Sequence, residues 1–216
     1  RGRKHGKRCS GPSSRLSLDE WIFTLEVSMV GNPNHGGMVA SAYTMDLRSK
    51  IRVVPDFPKP GVSFKDITTL LKDGAALRYV VDRMADHFKD SKVDVILGVE
   101  SRGFLFGAPL AYKMGTGFVL VRKPGKLPSG IVRASYELEY GSDSLEIHRD
   151  AIEPGQRVLL VDDLLATGGT MAAAADLVKQ LQGEIAGFAF AVELTYLNGR
   201  DKLGDEEILS LVCYDS

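Results

Sequence analysis

VLLVDDLLATGGT, residues 158–170, sets an unbroken apolar run directly before two acids, and the acids shortly before a Gly-Gly turn flanked by threonines. A run that is apolar along its whole length reads as a strand covered on both faces, as in a parallel sheet packed between helices. Gly168-Gly169 lets the backbone curl so that several N–H groups face one anion. The helix that follows adds roughly half a positive charge at its N-terminus, and Thr167 and Thr170 add hydroxyl donors. Strand, anion turn and helix are therefore predicted in that order, at the carboxyl edge where open parallel sheets collect their ligands. A monophosphate fits the turn. The stretch lacks the lysine that follows GxxxxG in a Walker loop, and it does not match GxGxxG, so bound ATP or NAD finds little support. Two uses remain for Asp162 and Asp163: accepting hydrogen bonds from vicinal sugar hydroxyls, or drawing in Mg²⁺ with a polyphosphate. Both suit a ribose whose 5-phosphate lies in the turn.

Working outward, the same alternation recurs. Leu77, Val80, Val81, Met84 and Phe88 keep helical spacing and precede the short apolar run VDVILGV, residues 93–99. Helices are predicted over 103–114 and 170–181 and strands over 117–121, 157–161 and 186–193, with Gly183 as the C-cap glycine of the second helix. The chain is thus expected to be α/β, a doubly wound, mostly parallel sheet. Residues 131–148, alternating around Gly141-Ser142-Asp143, read as a two-stranded excursion from it. VVPDFPKPG, residues 53–61, packs three prolines and a glycine around Phe57 and reads as a shaped loop.

With 216 residues, 44% hydrophobic and 25% charged, the composition suits one ordinary globular domain. Residues 1–37 carry six basic and three acidic groups, a net +3 against −4 for the remainder. That near-neutral body offers no nucleic-acid footprint, and no apolar run approaches the roughly 20 residues of a membrane span. Cys9 and Cys213 stand near opposite ends, outside metal-ligand spacing, which fits a reducing cytoplasm without disulfide or zinc. The four histidines are scattered and are expected to be neither catalytic nor metal-binding. Residues 1–45, mixing Arg, Gly, Ser and Pro around Trp21-Ile22-Phe23, are expected to be a disordered or non-native extension. Met38 and Met45 are plausible starts, and the domain proper is placed at 46–216.

Three more segments bear on the site: ESRGFLFG (100–107), VRKPGKLP (121–128) and ASYELEYGSDSLEI (134–147). Read alone they have plainer uses, as a helix-start arginine, a solvated charge run and an exposed hairpin. Taken in order with PDFPKPGVSFKDI (55–67) and VLLVDDLLATGGT, they resemble the type I phosphoribosyltransferases, and within them the adenine-using branch, over about residues 48–215. The resemblance implies that fold, with a small N-terminal hood over 46–70 and a mobile β-hairpin lid over 131–148. It implies transfer of the phosphoribosyl group of 5-phosphoribosyl-1-diphosphate (PRPP) to adenine, giving AMP and diphosphate.

In that reading Asp162 and Asp163 face the ribose hydroxyls, while Ala166, Thr167, Gly168, Gly169 and Thr170 grip the 5-phosphate. Ser101, Arg102, Arg122, Lys123 and Lys126 bind diphosphate, with a non-proline cis peptide at Glu100-Ser101. Ser63, Phe64 and Lys65 hold adenine; many members carry an apolar residue and Arg where this chain has Ser63 and Lys65. Glu139, Tyr140 and Arg102 are the implied catalytic residues. Mg²⁺ is the implied cofactor, held mainly through PRPP, with Asp162 or Asp163 as possible ligands. A cytoplasmic homodimer touching through the Arg102 neighbourhood and helix 103–114 is implied, with neither nucleic acid nor membrane as partner. The alternatives are another base, such as hypoxanthine, xanthine or orotate, or a regulator that senses PRPP or nucleotide without turnover.

Overall fold

The computed structural model describes residues 44–138 and 141–216. The extension expected over 1–45 therefore lies outside the described residues except for its last two. In chain order the strands are β1 (Arg52–Val54), β2 (Phe64–Asp66), β3 (Val95–Val99), β4 (Gly117–Val121), β5 (Ile131–Leu138), β6 (Gly141–His148), β7 (Arg157–Leu165), β8 (Glu184–Leu194) and β9 (Ile208–Tyr214). The α-helices are α1 (Thr68–Lys72), α2 (Gly74–Phe88), α3 (Gly103–Met114) and α4 (Gly169–Gln180). Five strands form one sheet in the order β4-β3-β7-β8-β9, every neighbouring pair parallel.

Alternate residues of each central strand enter different cores, because successive side chains leave a strand on opposite faces. Ile96, Leu159, Val161 and Ala189 pack with Val80, Met84 and Phe88 of α2 and Phe106 and Leu110 of α3. Leu97, Val158, Leu160 and Phe188 pack instead with Ala174, Leu177 and Val178 of α4 and with Ala134, Leu145 and Ile147 of the β5–β6 hairpin. Helices cover both faces, the doubly wound arrangement expected from the unbroken apolar strands. Asp73 caps α2 by accepting hydrogen bonds from the Ala75 and Ala76 N–H groups at 3.0 and 3.2 Å, satisfying two of the donors that a helix start leaves open.

Three local expectations are corrected. β7 does not stop at Val161: β8 runs on to Leu194 and pairs with it through Leu165, so both aspartates belong to the strand. The left-handed residue after α4 is Gln182, φ 62°, not Gly183. Gly183 answers to space instead, since a Cβ there would lie 2.9 Å from Ile152 Cγ2. Finally, β9 closes the sheet where no strand was anticipated. Its residues are mostly half-buried, as at a sheet edge, although ILSLVCY is apolar but for Ser210.

Two antiparallel pairs flank the sheet. β1 pairs with β2, matching Arg52 to Asp66 and Val54 to Phe64, and β5 pairs with β6 along its whole length.

Candidate active site

The carboxyl edges of β3 and β7 meet in a cleft of about 330 Å³. Glu100, Ser101 and Arg102 enter it from the loop after β3, Lys123 from the loop after β4, Asp162 and Asp163 from β7, and Ala166 through Thr170 from the turn into α4. All seven residues expected around a ribose 5-phosphate thus line one cavity. Gly168 adopts φ 78°, a left-handed conformation that glycine takes without strain, and caps α4. The Glu100–Ser101 peptide is cis, as the resemblance implied.

The two acids differ in environment. Asp163 is 5% exposed and accepts from Arg102 Nε at 2.5 Å. Asp162 is half-buried and accepts from the Asp163 N–H at 2.8 Å. Desolvation first, and then the charge of Asp163, push the Asp162 carboxyl well above the usual carboxylate range.

The expected diphosphate cations do not all point inward. Arg102 and Lys123 line the cleft, whereas Arg122 and Lys126 turn their side chains to the Glu100 carboxylate. Burial opposes ionisation of Glu100, but donors from Lys126, the Lys123 N–H and Arg122 outweigh it and bring its pKa to about 2. Lys123 Nζ donates to Tyr136 Oη at 2.9 Å and also to the Asp143 carboxylate, so the β5–β6 hairpin holds one of the two cleft cations. Burial disfavours the Lys123 charge, yet those partners raise its pKa above the ordinary value. Glu139 and Tyr140, the expected catalytic pair, lie outside the described residues.

A second cavity, of about 370 Å³, adjoins the first through Arg102, which lines both. Its walls are Val54, Phe57, Phe64, Lys65, Asp66, Ile67 and Thr68, and the Phe57 and Phe64 rings meet edge to face at 5.2 Å. Lys65 alternates with Phe64 along β2, is 7% exposed, and donates from Nζ to Ser63 Oγ at 2.9 Å. The same ammonium stands 4.5 Å from the Tyr214 ring centroid. Of the three residues expected at a base, Phe64 and Lys65 line this cavity and Ser63 does not. Phe57 was missed as a wall. Its place among three prolines, which limit where the ring can go, was the available signal.

A parallel sheet whose edge carries an acidic pair and an anion turn is the arrangement that the resemblance to phosphoribosyltransferases implied. The phosphoribosyl transferase domain model matches residues 66–209. The chain is 64% identical over 171 residues to adenine phosphoribosyltransferase of Clostridium perfringens, covering 79% of this chain and 99% of that one. Among solved structures it is similar to adenine phosphoribosyltransferase of Thermoanaerobacter pseudethanolicus, with 55% identity, TM-score 0.76 and 78% and 98% of the two chains covered. It is also similar to the Saccharomyces cerevisiae enzyme complexed with an imino-altritol bisphosphate and adenine, with 42% identity, TM-score 0.73 and coverage of 76% and 96%. The chain belongs to the adenine phosphoribosyltransferase family.

Proposed function

We infer that the protein transfers the phosphoribosyl group of PRPP to adenine, giving AMP and diphosphate, as a step of purine salvage. The observation that carries this reading is the adjacency of two unlike cavities, one acidic and anion-binding, the other apolar and aromatic, with Arg102 on their border. A flat base in one and a ribose 5-phosphate in the other would bring N9 and C1 together where they meet. The yeast relative, which holds a bisphosphate and adenine together, supports the same pairing of ligands.

Each group then has a task. The turn 166–170 holds the 5-phosphate and Asp162 and Asp163 accept from the ribose hydroxyls, fixing C1 in position for attack. As the bond to diphosphate lengthens, the sugar takes on oxocarbenium character, and Arg102 and Lys123 face the charge that develops on the leaving group. Losing one such aimed donor typically raises the barrier by about 3 kcal/mol. Arg122 and Lys126 join them on leaving Glu100, and Ser101 adds a hydroxyl. Phe64 stacks on the base while Phe57, edge to face with it, closes the wall beside it, with Ser63 and Lys65 behind them. Glu139 manages the imidazole proton of adenine, Tyr140 packs over the reacting centre, and the lid over 131–148 keeps water from the activated sugar.

Among the described residues no cluster of three or more acidic, histidine or cysteine side chains is arranged to hold a metal alone. Two carboxylates beside a diphosphate site do suit a hard cation, so Mg²⁺ fits as an ion bound mainly through PRPP oxygens with Asp162 or Asp163 beside it. Bound there, it would offset diphosphate charge. The reading also includes a cytoplasmic homodimer, supported by the outward face of α3, where Tyr112 is 90% and Leu105 45% exposed. No described helix is long and apolar enough to cross a membrane.

Diphosphate release from PRPP, measured separately with adenine, hypoxanthine, xanthine and orotate, tests the assignment. Turnover with adenine above the others is expected. A preference for another base would move the specificity, and silence with all four would sink the transferase reading in favour of a sensor.

A further inference from the structure

A segment that lines neither cavity presses on the phosphate turn. After β8 the chain makes two short 3-10 turns, Thr195–Leu197 and Gly199–Lys202, joined at Asn198 with φ 51°. A Cβ on Gly199 would lie 2.3 Å from the Ala166 carbonyl oxygen and 3.1 Å from the Gly168 nitrogen, and a Cβ on Gly168 would lie 2.3 Å from the Gly199 carbonyl oxygen. Backbone therefore meets backbone with no side chain between to absorb movement, and a shift of Asn198-Gly199 reaches the phosphate turn directly.

The segment is itself pinned from the sheet. Arg200 donates from Nε and Nη2 to the two carboxylate oxygens of Glu193, at 2.8 and 2.7 Å, and Nη2 also reaches Ser210 Oγ at 3.4 Å. Glu193 is 3% exposed and stands opposite Leu165 in the β7–β8 register, next to the strand end from which the turn departs. Leu203 anchors the far end of the segment in the core shared with Leu165 and Met171. With Glu193 buried and the Arg200 side chain 46% exposed, what the pair contributes is less net stability than direction, which its bidentate geometry fixes.

We propose that Glu193 and Arg200 are positioning residues for the ribose 5-phosphate: their paired hydrogen bonds set the Asn198-Gly199 turn, which sets the backbone of Ala166–Gly168. Neither touches substrate. The inference rests on the transferase reading and adds to it a second tier behind the anion site.

Steady-state kinetics of wild type, R200A, R200K, E193Q/R200Q and G199A, with thermal melts alongside, test it. R200A is expected to raise KM for PRPP about tenfold or more, since small misplacements of a binding group are costly. KM for adenine should move less than about twofold, because uniform loss of fold would affect both substrates. R200K keeps the charge but loses the fork, and the double variant removes both charges and so leaves no buried carboxylate unpaired; each is expected to recover thermal stability without recovering the PRPP KM. G199A leaves the pair intact and pushes on the turn itself, so it should reproduce the selective rise. A folded R200A with wild-type PRPP KM, or a parallel rise for both substrates, overturns the proposal. Should R200A fail to fold, an unaltered PRPP KM in G199A does the same. If wild type itself turns over no base, the transferase reading fails separately. Calorimetric binding of ribose 5-phosphate to the same variants then decides this inference, with equal affinity in R200A and wild type overturning it.

Discussion

Burial and then the nearby Asp163 charge push the Asp162 carboxyl above the usual carboxylate range, against the opposing pull of Arg102, which itself donates to Asp163. A carboxyl whose pKa is raised on folding costs stability as pH rises from its ordinary value toward the folded one. D162N is therefore expected to melt at or above the wild-type temperature at pH 7 while binding PRPP up to about tenfold more weakly, the worth of one hydrogen bond. Lower stability together with unchanged affinity would contradict this account. Glu100 is the opposite case. Its pKa falls from 4.5 to about 2, so its ionised form contributes stability that is full above about 4.5 and is lost as pH falls toward 2. Melting curves across pH 2–6 should accordingly fall less steeply for E100Q than for wild type, and E100Q should be the less stable protein at pH 7. The types of these residues, and their nearness to an anion turn, were legible in VLLVDDLLATGGT and ESRGFLFG. Which carboxylate takes which cation was not. Glu100 outcompetes the cleft for Arg122 and Lys126 because the loop after β4 passes beside it, a neighbour relation set by β3–β4 pairing.

The β5–β6 hairpin illustrates how an element is read in part. Alternation around Gly141-Ser142-Asp143 predicted two strands, and they pair from Ile131↔His148 to Leu138↔Gly141. It did not disclose that the base of the hairpin belongs to the core: Ala134, Leu145 and Ile147 are buried with α4. Leu145→Ala should then behave as a core truncation, costing roughly 2–5 kcal/mol. For a domain of this size that is a fall in melting temperature of roughly 5–15 °C. A shift within about 1 °C would mean that the hairpin base is not packed as described. Strand β9 escaped notice for the complementary reason. Its residues are apolar but for Ser210, yet a short run at the end of the chain carries no local sign of its partner, and its place depends on β8 offering a free edge.

At the level of the molecule, the outward face of α3 bears on assembly. Sedimentation velocity is expected to give a species near twice the 23.5 kDa chain mass, and Tyr112→Asp to shift it toward one chain. A wild-type monomer would remove the dimer from the proposal. The broad architecture was legible because it is written in contiguous residues: strands apolar throughout need cover on both faces, and a Gly-Gly turn entering a helix carries its own donors. The apposition of remote segments is another matter. Arg102 reaches Asp163 across 61 residues, Gly168 meets Gly199, and Phe57 and Phe64 wall a cavity that ends at Arg102. None of these carries a local pattern. Local periodicity and turn chemistry therefore specified the elements and the phosphate-binding end of the site. Strand order and close backbone packing arranged the second cavity, the division of cations among carboxylates and the support behind the turn, because those depend on which elements the folded sheet makes neighbours.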